Sequence, residues 1–274
     1  MVRPISVFCI ALAGLAAAAL NQAGAGAPAR EQLVTLKTRP GVTQKFILIT
    51  PQNPVAAVIL FAGGKGNLDL SGASDRPVLG WGKNNFLVRT RDDFAAHGFA
   101  VAVVDAPSDR KERVGMRGGF RNSAKHVTDI DAVTAYLKKT VRVPVWLIGT
   151  SRGTESAAYV AIHAKEKIAG VVLTSSMTED NSDGRPVTGL PLDRIRVPAL
   201  VVAHEDDECR VTPPGGAEWI AENLVNASTV EVKIFSGGDS PRFRACGALS
   251  AHGFLGIEGK VVAAIAGFIK SHSK

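Results

Sequence analysis

Val145-Trp-Leu-Ile-Gly-Thr-Ser-Arg-Gly153 is the stretch on which the fold turns. Pro144 leads into a short apolar run, Val145–Ile148, of the kind that forms a buried parallel strand. Gly149-Thr-Ser-Arg-Gly153 follows at once, and after it comes a segment with Gly153, Ala157, Ala158 and Ala161 at helical spacing. The order is strand, sharp turn bearing a serine, and a helix small enough on one side to lie close to a sheet. Serine is a poor nucleophile unless its hydroxyl is held out from the chain, a base takes its proton and N–H groups wait for the oxyanion. A G-x-S-x-G turn performs the first task, because glycine two residues either side tolerates strain and close approach.

Outward from this turn, apolar runs recur at Leu33–Lys37, Phe46–Ile49, Ala57–Phe61, Phe99–Val104, Gly170–Thr174, Ala199–Ala203 and Val230–Phe235. The first two are close together and predict an antiparallel start. The others are separated by helix-length segments, which predicts a mostly parallel sheet with right-handed crossovers. Helical stripes are Val127, Ile130, Val133 and Leu137 behind an Asn122/Ser123 cap, Trp219, Ile220 and Leu224 behind Pro213-Pro214, and Val261, Val262, Ile265, Phe268 and Ile269. Phe86, Leu87 and Phe94 mark a weaker one. Eight strands with helices between the later ones predict a single α/β domain over residues 30–274.

The first 25 residues have the three parts of a secretory signal peptide: Arg3, the apolar Ile5–Leu20 and then small residues, with A-x-A cleavage after Ala25 or Ala29. Cys9 is not in a lipoprotein-type context. Nothing beyond the leader is expected to span a membrane. The net charge of +7 falls to +6 once Arg3 leaves with the leader. These charges are scattered and lack an aromatic-interleaved basic stripe, which argues against a nucleic-acid partner. Cleavage would leave two cysteines, Cys209 and Cys246, and in an oxidising compartment such a pair reads as a disulfide.

In an open α/β sheet, chemistry gathers beyond the carboxyl ends of the strands. Three segments lie there besides the serine turn. Ala62-Gly-Gly-Lys-Gly66 can aim N–H groups at an oxyanion, with the Arg152 N–H as second donor. His204-Glu-Asp-Asp-Glu-Cys209 offers a carboxylate that could orient a histidine. Ala251-His-Gly253 lies before the last helix, in the loop position a mobile general base needs. His97 sits at a helix end, His126 and His163 within helices, and His272 in the tail, all structural or exposed. His204 adjoins the acid.

The order Ser, Asp, His on this rhythm of strands resembles the α/β-hydrolase superfamily, over nearly all of the chain after the leader. The resemblance implies Ser151 as nucleophile, Asp207 as acid, His252 as base, and Gly64 with Arg152 as oxyanion-hole donors. It prefers Asp207 to Asp206 because relatives commonly read G/H-x-x-D at this strand end. Ala62 departs from the pattern, since many relatives have His there. Only 56 residues separate Ser151 from Asp207, leaving Ser175–Val197 where relatives often insert a lid, so a minimal and largely open site is expected. In that fold the last two strands are neighbours, so a Cys209–Cys246 bridge would tie the acid loop to the histidine loop.

The activity so implied is cleavage of small carboxylic esters through an acyl-enzyme on Ser151, without a cofactor or metal. Cleavage of another acyl bond (thioester, amide or lactone) is the enzymatic alternative, and a non-catalytic binding protein on the same fold the other. Arg110, Lys111, Arg113, Arg117 and Arg121 cluster after the fourth strand. They form either a site for anionic substrates or a solvated loop interspersed with Asp109 and Glu112. Oligomeric state is not legible.

Overall fold

The computed structural model describes residues 30–112, 114–181 and 184–273. The leader and Arg113 lie outside them.

An eight-stranded sheet is built from β1 (Arg30–Arg39), β2 (Val42–Thr50), β3 (Ala56–Phe61), β6 (Phe99–Val104), β7 (Val145–Thr150), β8 (Gly170–Thr174), β9 (Ala199–His204) and β10 (Val230–Phe235). A hairpin of β4 (Ser71–Ala73) and β5 (Arg76–Val78) stands beside it. Strand order in the large sheet is β1-β2-β6-β3-β7-β8-β9-β10. β2 runs antiparallel to both β1 and β6, and every pairing from β6 through β3 to β10 is parallel. All eight expected strands are present. The hairpin was not expected, because it has no apolar alternation and its residues are largely exposed. It is fastened to β1 by the Leu33 N–H, which donates to Ser74 O at 2.7 Å.

β3, β6, β7, β8 and β9 are buried along their whole length, as strands covered on both faces must be. One face is covered by α3 (Ala124–Val141), α4 (Gly153–His163) and α5 (Gly216–Asn223), and the other by α1 (Phe86–Arg89), α2 (Arg91–Ala96) and α6 (Glu258–Ser271). The stripe of α3 is buried as its spacing requires, and Ser123 Oγ caps the helix by accepting the His126 N–H. In α5, Ile220 is buried but Trp219 is 40% exposed, so Trp219 does not belong to the core stripe. The weaker stripe resolves into two short helices, separated at Thr90, whose hydroxyl donates to Phe86 O.

By length and composition alone, Ala251–Ser271 could cross a membrane, and 61% of its window is buried inside the protein. Its α6 portion buries Val261, Val262, Ile265, Phe268 and Ile269 against the sheet. Between β8 and β9 the described chain forms two short 3-10 turns, Val187–Gly189 and Leu192–Arg194, and an isolated bridge between Asn181 and Gly184, with no inserted lid helix among the described residues.

Candidate active site

β7 ends at Thr150, α4 begins at Gly153, and Ser151 between them has φ +53°, a left-handed conformation rare for a side chain other than glycine or asparagine. Its N–H donates to Thr174 O at 3.0 Å, and the Thr154 N–H closes the turn on Ser151 O at 2.9 Å. The flanking glycines are obligatory. A Cβ on Gly149 would lie 2.3 Å from Gly153 O, and one on Gly153 would lie 2.0 Å from Phe61 O. The strain raises Ser151 at the carboxyl end of the central strand, where it lines a cavity of about 570 Å³.

His252 opens on the same cavity from a 3-10 turn, Ala251–Gly253. Its Nδ1 lies 2.9 Å from Asp207 Oδ2. The carboxylate leaves β9 through a turn in which the Asp207 N–H donates to His204 O. Asp207 is 5% exposed and its neighbour Asp206 points to solvent. The acid is anchored at both oxygens. Oδ1 accepts the Cys209 N–H at 3.0 Å, and Oδ2 accepts the Thr212 hydroxyl at 2.9 Å. Thr212 Oγ1 is also 3.1 Å from His252 Nδ1, so both groups facing that nitrogen favour a proton there. The imidazole then presents a bare Nε2, the tautomer that a general base requires. Ser151 and His252 share the cavity without a hydrogen bond between them, a bond that unliganded sites often form only with substrate.

The turn holding His252 is tied to the segments around it. Ser175 Oγ donates to His252 O at 2.9 Å. Arg89 Nη2 donates to Gly253 O, while its Nη1 reaches Ala248 O and Asn84 O, and the same guanidinium pairs with Glu258 at 2.9 Å. Cys246 and Cys209 form a disulfide across the acid and histidine loops.

The glycine-rich loop after β3 closes the cavity on another side. Gly63 and Gly64 line it, and a Cβ on Gly63 would come within 3.0 Å of Ser151 Cβ. Gly64 has φ +59°, and its N–H meets no acceptor within the described chain. Arg121 supports this loop from beneath: Nη2 donates to Ala62 O at 2.9 Å and Nη1 to Ser156 Oγ at 2.8 Å. Burial holds its pKa down to about 10, so it is still charged at neutral pH. Asp105, at the end of β6, accepts the N–H groups of Leu68 and Leu70 and fixes the far end of the loop.

Among the described residues of the basic cluster, none lines the serine's cavity. Arg121 is buried, Arg110 stacks on Phe120 and donates to Gly115 O and Arg117 O, and Lys111 lies 3.5 Å from Asp105. Two further buried histidines lie outside the cavity. His126 is packed between Phe61 and Phe120, and burial lowers its pKa to about 3. His204 Nε2 bonds Gly237 O at 2.7 Å.

Sequence reasoning missed Thr212, Arg89 and Ser175, whose roles depend on contacts between distant segments. It also missed the wall formed by Leu79–Phe86, with Trp81 and Lys83. An aromatic residue set between two glycines, Gly80-Trp81-Gly82, was the available signal.

A family model described as serine aminopeptidase, S33, matches residues 84–192, a stretch that contains Ser151 and ends before Asp207 and His252. Among solved structures, the dienelactone hydrolase of Anabaena variabilis is 16% identical, with a TM-score of 0.60 over 90% of this chain and all of its own. An esterase of Pyrococcus furiosus is 15% identical, with a TM-score of 0.62 over 90% of this chain and 92% of its own. Est1E of Butyrivibrio proteoclasticus is 16% identical, with a TM-score of 0.57 over 88% of this chain and 98% of its own. Compared by sequence with curated proteins, the chain finds no match.

Proposed function

We propose that this chain, a hydrolase of the α/β-hydrolase superfamily, is an exported serine esterase that cleaves small carboxylic esters through an acyl-enzyme on Ser151. The observation that carries the reading is the Asp207–His252 hydrogen bond of 2.9 Å, opening onto the cavity that a serine at φ +53° also lines. His252 Nε2 takes the Ser151 hydroxyl proton as Oγ attacks the ester carbonyl. Asp207 stabilises the imidazolium, and the N–H groups of Gly64 and Arg152 receive the oxyanion. The imidazolium then protonates the departing alkoxide. Water, deprotonated by the same nitrogen, frees the acid from Ser151.

The named activities of the dienelactone hydrolase and the esterases support an ester or lactone carbonyl as the point of attack. The aminopeptidase description of the matched family model is the reason to assay amides beside them. A fluorophosphonate probe should label the wild-type protein and leave Ser151→Ala unlabelled. Turnover of activated aryl esters should fall by several orders of magnitude in that variant. Residual activity within tenfold of wild type, with labelling retained, removes the mechanism.

Export is supported by the leader pattern and by a disulfide suited to an oxidising compartment. N-terminal sequencing of protein recovered outside the cytoplasm should begin at Gly26 or Arg30. An intact Met1 terminus refutes export with cleavage.

A further inference from the structure

Among the described residues whose side chains line the serine's cavity, Lys83 is the one fixed charge, and no carboxylate accompanies it. Lys83 forms no ion pair and no side-chain hydrogen bond in the described structure, so its ammonium has no internal partner. A second cavity of about 490 Å³ adjoins the first and shares Gly63, Gly64, Trp81, Gly82 and Asn85 with it. Lys65 and Lys111 lie there, with Glu112 as the acid. Lys111 faces Asp105 and Asp69 at 3.5 and 3.9 Å, whereas Lys65 has no ion-pair partner among the described residues. Lys83 in the cavity of Ser151 and Lys65 in the one beside it are thus cations without partners among the described residues.

Between the two cavities stands Trp81, 68% exposed. Its backbone is held in place: the Trp81 N–H donates to Leu68 O at 2.9 Å, and the Asn85 N–H closes a turn on Gly82 O at 2.8 Å. The flanking glycines are crowded, since a Cβ on Gly82 would meet Leu68 at 2.6 Å and one on Gly80 would meet Asp69 at 2.9 Å. An indole presented on a fixed turn offers a flat apolar face without the entropy cost of ordering a loop.

Resting on the esterase reading, we propose that the substrate is an ester bearing an anionic group that Lys83 binds, with a flat aromatic or conjugated portion laid against Trp81. A charge-assisted hydrogen bond from an ammonium to a carboxylate supplies the orientation. The cavity's volume is of the size that accepts a small organic molecule. The net charge, +7 for the full chain and still positive without Arg3, favours the approach of an anion. This assigns to Lys83 the selection of anions that was one of two readings of the Arg110–Arg121 loop in the sequence.

The test uses two matched pairs of aryl esters. In one, phenyl acetate carries a 4-carboxylate or a 4-carboxamide, which places the charge on the leaving group. In the other, phenyl benzoate carries a 4-carboxylate or 4-carboxamide on its acyl ring. Wild-type kcat/KM should favour the carboxylate member of at least one pair by about fivefold or more at low salt, with the preference shrinking as ionic strength rises. Lys83→Gln should abolish the preference through KM. Lys139→Gln should keep it, because Lys139 lies in the last turn of α3 and so at the opposite end of the sheet. Trp81→Ala should raise KM for both members of each pair.

A wild-type preference below fivefold in both pairs overturns the proposal, as does a preference that survives in Lys83→Gln. An unchanged KM in Trp81→Ala overturns the stacking half. If wild type hydrolyses none of the four esters, the esterase reading has failed, and calorimetry with 4-hydroxybenzoate and 4-hydroxybenzamide decides the inference alone. Tighter binding of the benzoate that disappears in Lys83→Gln supports it, and equal binding overturns it.

Discussion

The backbone N–H of Cys209 donates to Asp207 Oδ1 at 3.0 Å, so the residue that closes the disulfide also holds the carboxylate facing His252. Its partner Cys246 lines the cavity of Ser151. The bridge closes a loop of 37 residues, worth about 4 kcal/mol in the chain-entropy account. Reduction, or Cys209→Ser with Cys246→Ser, should lower Tm by roughly 10 °C for a domain of this size. It should also lower kcat on activated esters, since a loosened acid misaligns the base. Melting curves and initial rates with and without reductant check both effects. Unchanged kcat in the double variant would show that the bridge acts on stability alone.

Gly63 lies against the nucleophile with no room for a methyl group. A Cβ there would sit 3.0 Å from Ser151 Cβ and 3.1 Å from Thr150 O, so Gly63→Ala must move the oxyanion loop or the serine turn. Loss of one oxyanion donor costs on the order of 100-fold in kcat, and that is the expected scale. The melting temperature should change little, because Gly63 is only partly buried. Wild-type kcat in Gly63→Ala would remove this loop from the catalytic geometry.

Arg121 carries a buried charge whose hydrogen bonds go to Ala62 O and Ser156 Oγ, joining the loop after β3 to α4. Arg121→Ala strands those partners and opens space beneath Gly64, at a cost of about 3 kcal/mol. Because the residue touches the loop and not the substrate, kcat should fall while KM for a small neutral ester stays near wild type. Arg121→Lys, which retains the charge, should recover part of the stability. A variant as stable as wild type would contradict the supporting role.

Glu155, one turn into α4, is 2% exposed, and burial pushes its carboxyl up to about 7 despite the opposing charges of Arg121 and Arg152. The unfolded chain releases this proton near the ordinary 4.5. Between those values the folded state binds the extra proton, so stability falls as pH rises through the window. Above about 7 the full penalty applies, roughly 3 kcal/mol by the size of the shift. Below about 4.5 the group is neutral in both states and the penalty vanishes. Glu155→Gln should therefore gain stability over wild type progressively from about pH 4.5 to 7. Urea unfolding of both proteins at several pH values measures the difference, and a pH-independent difference refutes the assignment.

The eight strands of the large sheet, its antiparallel start and the serine turn were legible in the sequence because each is written in local pattern. Val145–Ile148 is apolar throughout since both faces of β7 are covered, and Gly149 and Gly153 are glycines since neither position admits a Cβ. The β4–β5 hairpin left no such mark, being exposed and without alternation. The pairing of Asp207 with His252, rather than Asp206, followed from resemblance, and the turn after β9 brings it about by burying one carboxylate and exposing the other. Arg121 illustrates the opposite case. Within its basic run it reads as one more solvated cation, and only the packing of α4 against the loop after β3 turns it inward. Thr212, Ser175 and Arg89 likewise act through neighbours that lie tens of residues away in the chain. Periodicity and turn chemistry report what a residue does to its own segment. Which distant groups share a cavity depends on the order in which the strands assemble, and that is a property of the sheet.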